Sequence, residues 1–104
     1  MKKKEIKIKV EGYLFTIKFV NTDKEAYDGI TWNRPRIIEI RNDLDDEATM
    51  LLIRHELVHA ILTCQGRIYQ KKFDVEEVCE FVAYKLPKIN EICNTIKRLL
   101  EVEE

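Results

Sequence analysis

The stretch NDLDDEATMLLIRHELVHAILTCQG, residues 42–66, decides how this chain of 104 residues is interpreted. Its apolar residues recur with the period of an α-helix and predict a wide buried stripe. They are Met50, Leu51, Ile53, Leu57, Val58, Ile61 and Leu62. Candidate N-cap residues precede the stripe: Asn42, Asp43, Asp45 and Asp46. Gly66 is a natural residue to follow the end of a helix. Because most of its surface is apolar, the stretch predicts a central helix that packs on several sides.

The residues before this helix predict β-strands. The run EIKIKVEGYLFTIKFV, residues 5–20, holds two alternating segments joined at Glu11-Gly12, which is the pattern of a β-hairpin. The run RIIEIR, residues 36–41, is short and β-branched and predicts a third strand with Ile38 and Ile40 on one face. Turn-forming residues dominate positions 21–35, so this stretch is predicted to be mostly loop.

Two further helices are predicted after the central one. Residues 74–87, DVEEVCEFVAYKLP, place Val75, Val78 and Val82 at helical spacing, and Pro87 is expected to end or kink this helix. Residues 88–102, KINEICNTIKRLLEV, predict a third, amphipathic helix. The predicted fold is α+β: one domain over residues 1–104 in which a small antiparallel three-stranded sheet, a hairpin plus one strand, packs with three helices.

Composition narrows the classes of partner. Eighteen basic and 19 acidic residues leave a net charge of −1, so no field favours a nucleic acid, and Lys2 to Lys4 are expected to be a solvated tail. No apolar run approaches the roughly 18 residues of a membrane span. Three cysteines are an odd number without a close pair, which indicates reduced thiols and a cytoplasmic protein. The oligomeric state is not readable from the sequence.

Both histidines of the chain lie on the central helix, four residues apart. Residues at this spacing share one helix face, so His55 and His59 can aim their imidazoles at one zinc ion. Glu56 then flanks the metal as a base for a metal-bound water, the mechanism attached to the pattern His-Glu-x-x-His. An accidental pair is the competing interpretation. It is disfavoured because unpaired imidazoles would be costly to bury in an apolar helix.

A catalytic zinc needs a third protein ligand, and Gln65 stands where an extended motif would place a third histidine. The second helix offers Glu76, Glu77, Glu80 and Cys79. Helical geometry puts Glu77 at the edge of the core, Glu76 towards solvent and Glu80 near Glu77 as an acceptor for an imidazole N–H. Cys79 is expected to be a buried structural cysteine. The choice among these residues stays open on geometry alone.

The segments RHELVHAIL, residues 54–62, and EEVCEFVAYKLP, residues 76–87, resemble the ImmA/IrrE family of zinc metallopeptidases, common in phages and mobile elements. Members of that family carry His-Glu-Leu-x-His on one helix. A ligand Glu follows on the next helix, before a Phe-Ala-like pair and a Leu-Met-Pro ending. Cys79 stands where Asn is usual, and the ending lacks Met.

The resemblance implies a gluzincin-type site on a zincin-like minimal core. In it Zn²⁺ is held by His55, His59 and Glu77. A zinc-activated water, with Glu56 as general base, would hydrolyse a peptide or protein substrate.

Several points stay open in this interpretation. Tyr27, Tyr69 and Tyr84 are candidates to stabilise an oxyanion, and each is more often a packing tyrosine. Strand 36–41 is either an edge strand that pairs with an extended substrate or a core strand. The alternative functions are a catalytically silent zinc-binding regulatory or interaction protein of phage or mobile-element origin, and a metal-free module that binds a partner through its helices.

Overall fold

Four strands and two helices make up the part of the chain that the computed structural model describes, residues 5–21, 27–32, 34–65 and 75–101. In chain order they are β1 (Glu5–Val10), β2 (Tyr13–Val20), β3 (Gly29–Trp32), β4 (Ile37–Arg41), α1 (Asp46–Cys64) and α2 (Val75–Glu101). The strands form one sheet in the order β1-β2-β4-β3, and both helices contribute to the core on one of its faces. Neither of these helices contains an apolar stretch of membrane-spanning length.

The hairpin of β1 and β2 has the predicted position and turn. Its strands pair from Glu5↔Lys18 to Val10↔Tyr13, and the two turn residues, Glu11 and Gly12, have φ angles of 53° and 83°. Two successive positive φ angles match the twist of the flanking strands, which is why such turns favour glycine. Glu11 accepts a hydrogen bond from Lys85 Nζ at 2.6 Å, so the turn is also tied to α2.

The prediction of a three-stranded antiparallel sheet was wrong. The sheet has four strands and is mixed, because β2 pairs with β4 in parallel while β3 pairs with β4 antiparallel. The added strand lies inside the predicted loop. At four residues it is too short to show an alternating pattern, and turn-forming residues surround it. Strand β3 runs opposite to β2. The chain then reverses, so β4 runs in the same direction as β2.

The open edge near α1 therefore belongs to β3, and β4 lies between two partners. Strand 36–41 is a core strand, with Ile38 and Ile40 fully buried on one face as expected. The amide of Arg41 donates a hydrogen bond to the carbonyl of Asp28 at 2.9 Å, so these two residues form a hydrogen-bonded pair. Along antiparallel strands, residue pairs that exchange backbone hydrogen bonds alternate with pairs that do not. By this alternation Gly29 and Thr31 point their backbone N–H and C=O groups away from β4.

The prediction of three helices was also wrong, because α2 continues through Pro87. A proline inside a helix removes one amide and leaves the carbonyl four residues earlier, that of Ala83, without its helical partner. Both residues are exposed, so water can satisfy that carbonyl. After the proline, Ile89, Cys93 and Ile96 bury one continuous row against the core, and this packing fixes the direction of the helix.

Tertiary packing also selects helix faces that differ from the predicted ones. Val78 and Val82 are exposed, and Phe81 and Lys85 lie half-buried in their place, while the side chain of Val75 lies outside the described residues. On α1, Leu51 is exposed and Met50, Val58 and Leu62 are half-buried. The buried row of α1 is Thr49, Ile53, Glu56, Leu57, Ala60 and Ile61. A helix that is apolar on several sides does not identify its inner face, so the sheet decides it.

Replacing the proline tests the continuity of α2. The substitution Pro87→Ala restores an amide that can donate to Ala83, and we expect it to raise the free energy of unfolding by about 1–3 kcal/mol in urea titrations. The neighbouring exposed substitution Lys88→Ala should stay within about 0.5 kcal/mol of the parent. A proline variant with unchanged or reduced stability would show that the helix breaks at this position.

Candidate metal centre

A capped helix start and an ion-pair cluster hold α1 against β3. Asp45 is the N-cap of α1, and its Oδ1 accepts a hydrogen bond from the amide of Ala48 at 2.7 Å. The guanidinium of Arg41 pairs with Asp43 at 2.6 Å and with Asp28 at 2.9 Å. Hydrogen bonds to these two carboxylates raise the pKa of Arg41 above its ordinary value, and the larger contribution comes from Asp43. Arg41 therefore joins the residue before β3 to the turn before α1.

The two histidines converge on the exposed side of α1. Their Nε2 atoms lie 3.2 Å apart, and the rings meet edge to face with centroids 4.9 Å apart. The side chain of His55 is 65% exposed. One ring nitrogen of each histidine and a carboxylate oxygen of Glu56 form a group of potential metal ligands that all lie within 4.8 Å of one another.

The separation of the two nitrogens fits a shared tetrahedral ion. Zinc–nitrogen bonds of about 2.0–2.1 Å at a tetrahedral angle place two imidazole nitrogens about 3.3 Å apart. The same distance also allows one ring to donate a hydrogen bond to the other, provided that only one Nε2 carries a proton. The donor set is thus suited to a divalent ion without identifying which one.

Glu56 lies on the opposite, inner side of this cluster. Its side chain is only 6% exposed, and its Oε1 accepts a hydrogen bond from Thr31 Oγ1 at 2.8 Å. The same hydroxyl lies 3.1 Å from the backbone carbonyl oxygen of Glu56. The second carboxylate oxygen, Oε2, lies 3.8 Å from His55 Nε2. Burying a carboxylate is costly unless hydrogen bonds compensate, so Thr31 removes part of that cost.

This arrangement reverses the burial expected for the motif. The apolar sequence around the histidines predicts imidazoles in a buried helix that need a metal to compensate them. Both histidines are exposed, and the buried member of the motif is the glutamate. The case for a metal rests instead on the convergence of the two Nε2 atoms.

A shallow cleft of about 270 Å³ runs between β3 and α1 and exposes the cluster. Its lining residues are Gly29, Ile30, Thr31, His55, Glu56, His59 and Thr63. One wall is the edge strand with outward backbone groups, and the other is the face of α1 that carries the histidines. An extended chain laid in this cleft would lie beside both the edge strand and the imidazoles.

Among the described residues, the group of potential metal ligands does not include an acidic residue of α2. Glu77 is half-buried in the first turn of α2, and the described group of potential ligands contains Glu56 and the two histidines without it. Glu76 and Glu80 are exposed. Cys79 is exposed as well, so its expected role as a buried structural cysteine was wrong. The assignment of Glu77 as third ligand remains a prediction.

The tyrosine candidates have different surroundings. The hydroxyl of Tyr27 donates to Glu39 Oε1 at 3.2 Å. Burial and then this carboxylate raise the pKa of the Tyr27 phenol, so it stays protonated at neutral pH. In the sheet, Glu39 lies opposite Lys18 of β2 and Ile30 of β3. Its side chain is on the other face of the sheet from those of Ile38 and Ile40. Tyr84 is strongly exposed on α2, and Tyr69 lies outside the described residues.

Two residues of the site were missed by the sequence analysis. Thr31 holds the carboxylate of Glu56, and Gly29 lies next to the same side chain, since a Cβ there would lie 3.4 Å from Glu56 Cγ and 3.3 Å from Ile40 Cδ1. Both belong to β3, which was predicted as loop. The available signal was the run Ile30, Thr31, Trp32, three successive residues that favour strands.

No protein-family model, curated protein or solved structure matches the chain.

Metal binding is directly measurable. We expect one equivalent of Zn²⁺ to bind and to raise the free energy of unfolding by about 2.7 kcal/mol when free zinc is 100 times its Kd. The variants His55→Ala and His59→Ala should each lose most of this increase, because a single imidazole remains. Calorimetric titration and urea unfolding with and without zinc provide the two measurements.

The matched control is Leu51→Ala, an exposed change one turn earlier on the same helix. It should leave the zinc-dependent increase unchanged. Equal stabilisation of the parent and both histidine variants would rule out this centre as the site of binding.

Proposed function

We propose that the chain is a zinc-dependent metallopeptidase of the gluzincin type, similar to the ImmA/IrrE family. The observation that carries the proposal is the convergence of His55 and His59 Nε2 at 3.2 Å, with the Glu56 carboxylate beside them. Two exposed imidazoles on one helix face supply the ligand pair, and a buried carboxylate supplies the base. The family resemblance of residues 54–62 and 76–87 supports the same reaction.

A bound divalent ion would supply a Lewis acid for the attacking water and for the peptide carbonyl. The proton transfers of the reaction are carried out by a side chain of the protein. Glu56 Oε2 faces His55 Nε2 at 3.8 Å, so it is the oxygen available to accept a proton from the attacking water. Glu56 then returns that proton to the leaving amine, which is the ordinary cycle of a general base.

The substrate class that we propose is an extended peptide or an extended segment of a protein. The edge strand β3 borders the cleft, and the backbone groups of Gly29 and Thr31 point outwards along it. A peptide that adds to this edge gains main-chain hydrogen bonds without regard to its sequence. The strand that we propose to pair with the substrate is therefore β3. Strand 36–41 lies inside the sheet and has no open edge.

Glu77 is our proposed third ligand. It is supported by the family resemblance and by its half-buried place in the first turn of α2, a helix that packs on α1. Glu76 and Glu80 are exposed and lie on either side of it in sequence.

We further propose that the protein works in the cytoplasm and does not act on nucleic acid. The cysteines support a reducing compartment, because three is an odd number and no two of them form a close pair in the sequence. The near balance of 18 basic and 19 acidic residues gives no electrostatic attraction for a phosphate backbone.

Removing the base separates catalysis from metal binding. In Glu56→Gln we expect zinc to bind at one equivalent, while kcat for peptide hydrolysis falls by at least about 100-fold, because an amide accepts no proton from water. The measurement is cleavage of a peptide library followed by mass spectrometry, with zinc content determined on the same sample. Hydrolysis retained by this variant would remove Glu56 from the mechanism.

The parent protein in the same assay decides between the two zinc-binding hypotheses. Cleavage by the parent with none by the variant supports the peptidase. Zinc binding without cleavage in either protein would favour the catalytically silent regulatory or interaction protein.

The third ligand is tested by comparing neighbouring acids. We expect Glu77→Ala to weaken zinc binding by roughly 10- to 100-fold, since it removes one of three protein ligands. The changes Glu76→Ala and Glu80→Ala, on the same turn and its neighbour, should alter zinc affinity by less than about threefold. A larger loss in either of these variants than in Glu77→Ala would transfer the assignment to that residue.

A further inference from the structure

We infer that β3 orients the proposed base, with Thr31 acting as a positioning residue for the Glu56 carboxylate. The inference rests on the proposed function for its catalytic consequence. The structural part of the inference is the contact between the side chains of Thr31 and Glu56. It is tested by the coupling in folding stability measured between these two residues.

The first observation is the contact itself. Thr31 Oγ1 lies 2.8 Å from Glu56 Oε1, and the carboxylate is almost completely buried. With Oε1 engaged by the strand, the side chain presents Oε2 towards the histidine pair, 3.8 Å from His55 Nε2. Without this hydrogen bond, rotation about the last bond of the side chain would cost little, because terminal carboxylate torsions are broad.

The second observation concerns the residue two positions before Thr31 on the same strand. A Cβ on Gly29 would approach Glu56 Cγ to 3.4 Å and Ile40 Cδ1 to 3.3 Å. Gly29 and Thr31 lie two residues apart on one strand, so both face α1. A methyl group on Gly29 would thus meet Glu56 Cγ at an ordinary van der Waals distance, so it is Thr31 that fixes the orientation of the carboxylate.

A hydroxyl is chemically suited to hold a base that must change its protonation. It donates a hydrogen bond to a carboxylate and accepts one from a carboxylic acid. When Glu56 carries the proton, the hydroxyl proton of Thr31 can turn to the Glu56 carbonyl oxygen, 3.1 Å away. A lysine or arginine has no acceptor and would favour only the charged form. Thr31 can therefore hold Glu56 through the whole cycle.

The contact also has a consequence for stability that does not depend on activity. Removing one partner of a buried hydrogen bond leaves the other unsatisfied, whereas replacing both by apolar groups is nearly neutral. In metal-free protein, Thr31→Val should lower the folding equilibrium constant about tenfold or more in the Glu56 background. In the Glu56→Met background the same change should lower it by less than about threefold.

The experiment is a double-mutant cycle by urea unfolding, joined to kinetics on the zinc-loaded protein. The matched control is Thr16→Val, the same substitution on β2 but on the sheet face that points away from α1. It should cost the same in both backgrounds. In the kinetic arm, Thr31→Val should reduce kcat by roughly 10- to 100-fold with little change in KM or zinc stoichiometry.

Conservative variants separate positioning from general damage to the fold. Thr31→Ser keeps the hydroxyl and should recover most of the loss in both arms. Equal effects of Thr31→Val in the two backgrounds would overturn the inference, as would an unchanged kcat in that variant. Clear coupling in a parent protein that cleaves nothing would confirm the contact and reject its role in peptidase catalysis.

Discussion

The arrangement around the candidate metal centre depends on how one buried carboxylate is satisfied. Glu56 is the charged residue that α1 turns towards the interior within the described part of the chain. Its Oε1 is held by Thr31, and its Oε2 is left towards the histidines. Because a buried charge without partners is unfavourable, this carboxylate needs β3 to lie against α1. The edge strand is therefore part of the site as well as its wall.

Other contacts hold the same two elements in register. Arg41 joins Asp28, just before β3, to Asp43, in the turn that leads to α1. The N-cap at Asp45 then fixes where the helix begins, and His55 and His59 follow at set positions along it. Below them, Ile53 and Leu57 pack into the core that Ile38 and Ile40 supply from β4. The two exposed histidines thus lie on a helix whose inner face is packed into the core.

Local patterns predicted part of this structure well, and the failures share one cause. The hairpin, the strand at residues 37–41 and the helix with the histidines all follow from periodicity and turn chemistry within a few residues. The strand at Gly29–Trp32 was missed because it is short and is stabilised by pairing with β4. The break expected at Pro87 did not occur because residues beyond it pack on the core. In both cases the local sequence pattern failed because residues distant in the sequence stabilise the observed structure.

The sequence by itself determined that the two imidazoles share a helix face, since helix pitch is a local property and four residues make about one turn. It also determined that a glutamate lies beside them. Only the tertiary structure decided that this glutamate is buried and the histidines exposed, because that choice depends on which side of α1 meets the sheet. The same holds for Thr31 and Gly29, whose relation to Glu56 spans about 25 residues of chain. No local pattern encodes such a contact, because it exists only once β3 has paired with β4 and packed on α1.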